Sequence, residues 1–197
     1  MEMTGEERIP ASQAGTWAAL NDPEILKACV PGCESIERLA ENEYQVLMVA
    51  RIGPVSAKFK GKLALSDLKP PHSYAIAFEG QGGAAGFGKG AAQVQLAPDG
   101  DGTRLSYQVH ANVGGKLAQI GSRLVDGAAK KIAQEFFAAF NEKVGARHAP
   151  AGDAHAERHP EPVARDPALP TVTDASLVFL AAGSLVVFVV ALFALLG

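Results

Sequence analysis

The stretch GKLAQIGSRLVDGAAKKIAQEFFAAFNEKV, Gly115 to Val144, decides the fold. Leu117, Ile120, Leu124, Ala128, Ile132, Phe136 and Phe140 recur at spacings of three and four, the apolar stripe of one long amphipathic helix. At 1.5 Å per residue that helix is roughly 45 Å long. Its stripe needs an apolar surface of similar length to bury it.

The preceding residues supply that surface, because upstream the hydrophobic period changes to two. Tyr44, Val46, Met48, Ala50 and Ile52 put one apolar face on a strand. After Gly53-Pro54, Val55, Ala57, Phe59, Gly61, Leu63 and Leu65 face one way, with Ser56, Lys58, Lys60 and Lys62 opposite. Pro70-Pro71 separates the next strand, carrying Tyr74, Ile76 and Phe78. A glycine-rich crossing from Gly80 to Gly90 leads to Ala92, Val94 and Leu96. Asp99-Gly100-Asp101-Gly102 then closes a hairpin onto Leu105, Tyr107, Val109 and Ala111. Before these strands, a short first strand precedes a helical stretch from Pro10 through Leu20. Asn21-Asp22-Pro23 ends that stretch and caps a second helix running to about Cys29. The fold class expected is α+β: a strongly bent antiparallel sheet gripping the long C-terminal helix.

Beyond the helix the composition changes. Residues 145–174 hold five of the chain's twelve prolines and, with His148, His155 and His159, read as a tether unable to bury enough surface to order itself. From Ala175 to Gly197 the chain reads ASLVFLAAGSLVVFVVALFALLG, without a charge. Roughly 20 apolar residues span a bilayer core, so a C-terminal transmembrane helix is expected there. MEMTGEERIP, acidic at Glu2, Glu6 and Glu7, lacks the apolar core of a signal peptide. The expected arrangement is therefore a domain over 1–144 on the cytoplasmic side, a linker over 145–174 and a single membrane span over 175–197.

Candidate chemistry is sparse. The domain carries 16 acids and 15 bases, which argues against a nucleic-acid partner. Cys29 and Cys33 are spaced too widely for a C-x-x-C redox or zinc pair, and read as thiols beside the Pro31-Gly32 turn. His72 and His110 have no nucleophile or acid at a spacing that suggests catalysis, and no metal site is expected. The lysines of Lys58, Lys60 and Lys62 form a solvated face, or one that meets anionic lipid or an acidic partner. Small residues among the strands and helix (Gly61, Gly82, Gly90, Gly127, Ala128) either leave volume for an apolar ligand or serve bends and bulges. Residue types alone do not decide. If a cavity exists, its expected walls are Phe59, Leu63, Phe78, Val94, Tyr107, Leu124 and Ala128.

Four stretches resemble a known family: IPASQAGTWAALNDPEILKACVPGCESIE (Ile9 to Glu37), IGPVSAKFKGKLALSDLKPP (Ile52 to Pro71), EGQGGAAGFGKGAAQVQL (Glu79 to Leu96) and VGGKLAQIGSRLVDGAAKKIAQEFF (Val113 to Phe137). Trp-x-x-Leu-x-Asp-Pro from Trp17 is START-like. The Cys-x-Pro-Gly-Cys turn and the Gly-Gly-Lys-Leu-Ala-Gln helix start narrow the resemblance to the G subunit of carbon monoxide dehydrogenase (CoxG), in the START-like (SRPBCC) superfamily. The resemblance implies a helix-grip fold with an apolar cavity and a non-enzymatic accessory role, bringing a molybdenum-containing dehydrogenase to the membrane and the quinone pool. It further implies menaquinone or ubiquinone as ligand, and no cofactor of the chain's own. The alternative, from the superfamily at large, is an enzyme or lipid-transfer protein acting on an apolar small molecule.

Overall fold

Seven strands form one antiparallel sheet in the spatial order β1-β7-β6-β5-β4-β3-β2. They are β1 (Glu2–Ile9), β2 (Cys33–Ala40), β3 (Glu43–Ile52), β4 (Val55–Lys69), β5 (Ser73–Gln81), β6 (Phe87–Asp99) and β7 (Gly102–Gly114). Helices α1 (Gln13–Leu20) and α2 (Pro23–Cys29) connect β1 to β2, while α3 (Lys116–Gln119) and α4 (Ser122–His148) follow β7. The structure is a computed structural model and describes residues 2–52 and 54–148. The first four residues of the expected tether, 145–148, continue α4; the rest of the tether and the membrane span lie outside the described residues.

Local chemistry sets the boundaries. Ser12, not Pro10, begins α1: its Oγ accepts from the Gly15 amide at 3.2 Å. Asp22 caps α2 by accepting from the amides of Glu24 (3.0 Å) and Ile25 (3.3 Å), with Pro23 in the first turn, where its missing N–H costs nothing. From β3 to β7 every second side chain enters the core, as the alternation requires. Register shifts between Cys33 and Ser35, Arg38 and Ala40, and Ser66 and Lys69 add local bends.

The C-terminal helix is not continuous. Gly121, at φ +92°, separates α3 from α4. A left-handed residue costs glycine nothing and other residues strain, so the break sits where the sequence permits it. The break also shifts the phase of the stripe. On α4 the buried positions are Val125, Ala129, Ile132, Ala133, Phe136, Phe137, Phe140 and Val144. Leu124, expected on the inward face, is instead 54% exposed, and Ala128 is only partly buried on the helix flank. A second difference concerns β2, whose residues show no alternation: it is an edge strand with most side chains exposed.

Candidate functional site

Four of the seven expected cavity residues, Phe59, Leu63, Phe78 and Val94, are buried on the inner, helix-facing side of the sheet. Register pairs Leu63 directly with Phe78, and Val94 with Tyr107. Tyr107 is half-buried and stacks on Phe137 of α4, ring centroids 5.8 Å apart. Phe137 in turn meets Phe136 edge-on at 5.3 Å, and Phe136 stacks on Phe140 at 5.5 Å. Sheet and helix are thus joined by a chain of aromatic rings. Of the remaining two residues, Ala128 packs at the margin of this core and Leu124 stands outside it.

The small residues have a definite use. A Cβ built on Gly82 would lie 1.9 Å from the Phe59 ring, and one on Gly5 would lie 2.2 Å from the Tyr107 hydroxyl. A Cβ on Gly90 would meet the His110 carbonyl at 2.1 Å and the Phe78 ring at 2.6 Å. At these positions the missing side chain is space already taken by an aromatic ring or a neighbouring strand. Gly86, at φ +128°, and Gly115, at φ +81°, serve turns that pass within contact of each other.

The interior has little polar chemistry. Among the described residues the buried polar side chains are Thr16 and Thr103. Both hydroxyls donate to the Ala11 carbonyl, at 3.4 and 2.7 Å. Burial pushes the Tyr44 hydroxyl above its ordinary pKa against the pull of Arg38, and does the same at Tyr107 with help from Glu7. Both phenols stay protonated donors at neutral pH. No group of three or more His, Cys, Asp or Glu side chains that could hold a metal occurs among the described residues.

A concavity of about 660 Å³ was not anticipated from the sequence. It is a groove whose lining is mainly outward-facing. Ala64, Ala77 and Ala91, side by side on β4, β5 and β6, form its floor. Lys62, Glu79 and Lys89 flank that floor one register step along, and His110 and Asn112 close the β7 side. Leu63 and Phe78 contribute to its lining; the other five expected ligand residues do not. The available signal was three alanines on outward positions of successive strands.

Comparison with known proteins places this geometry. The family model for the G subunit of carbon monoxide dehydrogenase (CoxG) matches residues 5–145. No curated protein sequence matches the chain. Among solved structures, a conserved protein of Geobacillus kaustophilus is 31% identical, with a TM-score of 0.71 over 76% of this chain and 98% of its own. TTHA0849 of Thermus thermophilus is 19% identical, with a TM-score of 0.58 over 76% of this chain and 100% of its own. Ms6760 of Mycobacterium smegmatis is 16% identical, with a TM-score of 0.55 over 75% of this chain and 92% of its own. The last two bear on the fold alone, which is START-like. With the family model covering β1 from Gly5 onward, the other six strands and α4 as far as Gly145, the chain belongs to the CoxG family, named for the G subunit of carbon monoxide dehydrogenase.

Proposed function

We propose that this protein is a membrane-anchored accessory subunit. It brings a cytoplasmic dehydrogenase of the molybdenum-hydroxylase, carbon monoxide dehydrogenase-like type to the bilayer, and holds an apolar quinone between its sheet and its long helix. The observation that carries the reading is the family match over residues 5–145 on a domain whose interior is lined almost wholly by hydrocarbon. Family membership supports the partner. The uncharged segment 175–197 supports the anchor, with the domain on the cytoplasmic side.

The inner residues are apolar, as an isoprenoid tail requires, and do not suit a redox centre. Phe59, Leu63, Phe78, Val94 and Tyr107 would hold such a tail, and each methylene withdrawn from water contributes about 0.8 kcal/mol. By contrast, two cysteines in the whole chain are too few for an iron–sulfur cluster. Electron transfer therefore belongs to the partner's centres, and this chain's part is to bind, shield and deliver. The rival reading of a START-like enzyme needs polar groups in the interior to do chemistry, whereas lipid transfer, its other form, needs only an apolar site. Thr16 and Thr103 are already engaged with Ala11, which favours a binding role.

Native mass spectrometry of the full chain, extracted from its own membranes in mild detergent, tests the ligand. The expected result is a mass increment of one menaquinone or ubiquinone, with molybdenum dehydrogenase subunits co-purifying. A chain free of lipid that still retains the dehydrogenase would leave recruitment alone. A chain that retains neither would overturn the proposal.

A further inference from the structure

The outer face of the sheet divides into two halves by charge. On the half formed by β1 and β7, bases are matched with acids: Arg104 with Glu6 at 3.9 Å, His110 with Glu2 at 3.1 Å, and Arg8 with Asp99 at 3.8 Å and with Asp101. On the half formed by β3 to β6 they are not. Arg51, Lys58, Lys60, Lys62 and Lys89 all point outward and are exposed. Lys58 pairs with Glu34 at 2.6 Å, but among the described residues Lys60, Lys62 and Lys89 make no ion pair. Glu79 lies between Lys62 and Lys89 in register, Glu37 joins the Lys62 row through Gln45, and Glu43 borders the patch at the start of β3, so with Glu34 the five bases exceed the acids by one.

Apolar side chains stand among these lysines. Val49 is opposite Lys58 and Leu47 opposite Lys60, while Lys60 leads through Gln81 to Phe87 along one row of the sheet. Phe87 is 51% exposed and Val49 36%. Basic side chains interleaved with exposed apolar ones suit a surface that is anionic outside and hydrocarbon just beneath.

We infer that this face, Lys58, Lys60, Lys62 and Lys89 with Val49 and Phe87, docks the domain flat onto an anionic lipid surface. The inference rests on the anchor reading for its geometry. His148 and Ala175 are separated by 26 residues, which span up to about 85 Å when extended. The chain leaves α4 near Pro10, at the opposite end of the sheet from Phe87, and that length lets it return along the domain. Tethering makes even a weak second contact count, because the surface is always at high effective concentration. Each lysine near such a surface is worth about fivefold in partition. Phe87 also covers Gly114, beside the Gly86–Gly115 crossing where the sheet hands over to the helix.

Lysine footprinting of the full chain tests this. The protein is reconstituted in phosphatidylcholine vesicles with and without about one-third phosphatidylglycerol, and labelled with a water-soluble acetylating ester. Labelling of Lys60, Lys62 and Lys89 should slow by at least about threefold on anionic vesicles, and recover in about 0.5 M salt. Lys130, exposed on α4, should label equally on both. Equal labelling of the three lysines on both vesicles would overturn the inference. So would protection that appears only on adding the dehydrogenase, which would give the face to an acidic protein. Flotation on neutral vesicles reports the anchor separately: a chain that fails to float there, yet shows lysine protection on anionic vesicles, loses the anchor and keeps the docking face.

Discussion

The ring of Phe59 lies on the backbone of Gly82, so closely that a methyl group there would sit 1.9 Å from a ring carbon. Gly82 has φ −117°, which any residue can adopt, so its requirement for glycine is steric alone. Its neighbour Gly83 is the reverse case, with φ +59° and nothing within 4 Å of an added Cβ. Gly82→Ala should lower stability by about 1–3 kcal/mol as an overpacked core position. Gly83→Ala should cost about 1–2 kcal/mol through backbone strain. Adding Phe59→Leu should recover part of the loss at Gly82 and none at Gly83. Urea denaturation of the three single and two double variants checks it, and additivity at position 82 would refute the ring contact.

The phase of α4 gives a second test. Leu124 and Phe136 both fall on the stripe read from the sequence, yet one is 54% exposed and the other fully buried. Leu124→Ala should change stability by no more than about 0.5 kcal/mol. Phe136→Ala should cost about 3–5 kcal/mol, because it removes a buried ring that meets Phe137 edge-on and stacks on Phe140. Comparable losses in thermal unfolding would place the helix in the other register.

That contrast shows where local pattern stops being informative. Strands β3 to β7 were legible because a period of two is imposed residue by residue by the pleat. The Asp22 cap was legible because its partners are two and three residues away. The break at Gly121 was not, since a glycine within a continuous apolar stripe reads the same whether or not its φ is positive. Strand β2 carries no alternation to read, because as an edge strand it buries little on either side. The uses of Gly82 and Gly90 depend on aromatic rings from other strands, a relation that no window of sequence contains. The outer groove likewise exists only once Ala64, Ala77 and Ala91 are brought side by side.

The two thiols should be unreactive in the folded protein. Burial pushes Cys29 up to about 11 against the nearby Lys143, and Cys33 up to about 11 against Lys27, with Glu34 adding to the rise. At pH 8 each should carry roughly a hundredfold less thiolate than an exposed cysteine. Cys33, half-buried, should be alkylated before Cys29, which is buried. The folded pKa lies above the unfolded one, so the unfolded state loses its protons first. Stability should therefore hold below about pH 9 and fall between about pH 9 and 11. Replacing both cysteines by alanine should flatten that fall, and an unchanged slope would count against these groups as its source.

Removing residues 175–197 should convert a detergent-requiring chain into one that stays in the supernatant after ultracentrifugation. Among the described residues the core cluster reaches no further than Val144, so thermal unfolding of the shortened chain should match that of the parent domain. Pelleting of the shortened chain, or loss of its cooperative transition, would count against an anchor distinct from the fold.

Adjacent alanines on α4 separate the margin of the core from its packed interior. Ala129 is fully buried, whereas Ala128 packs at the edge of the core with part of its surface free. Ala129→Trp has no space to enter and should destabilise the domain by about 3 kcal/mol or more. Ala128→Trp should fall below the usual cost of about 1–3 kcal/mol for overpacking, because its ring can extend along the margin. If an isoprenoid tail occupies the space between sheet and helix, that same ring should also reduce the quinone extracted with the protein. Melting temperature and extracted quinone, measured on both variants, give two independent readouts. A mild loss of stability with quinone content unchanged at Ala128→Trp would move the ligand away from this flank of α4. A severe loss at both positions would mean that the margin is as tightly packed as the centre.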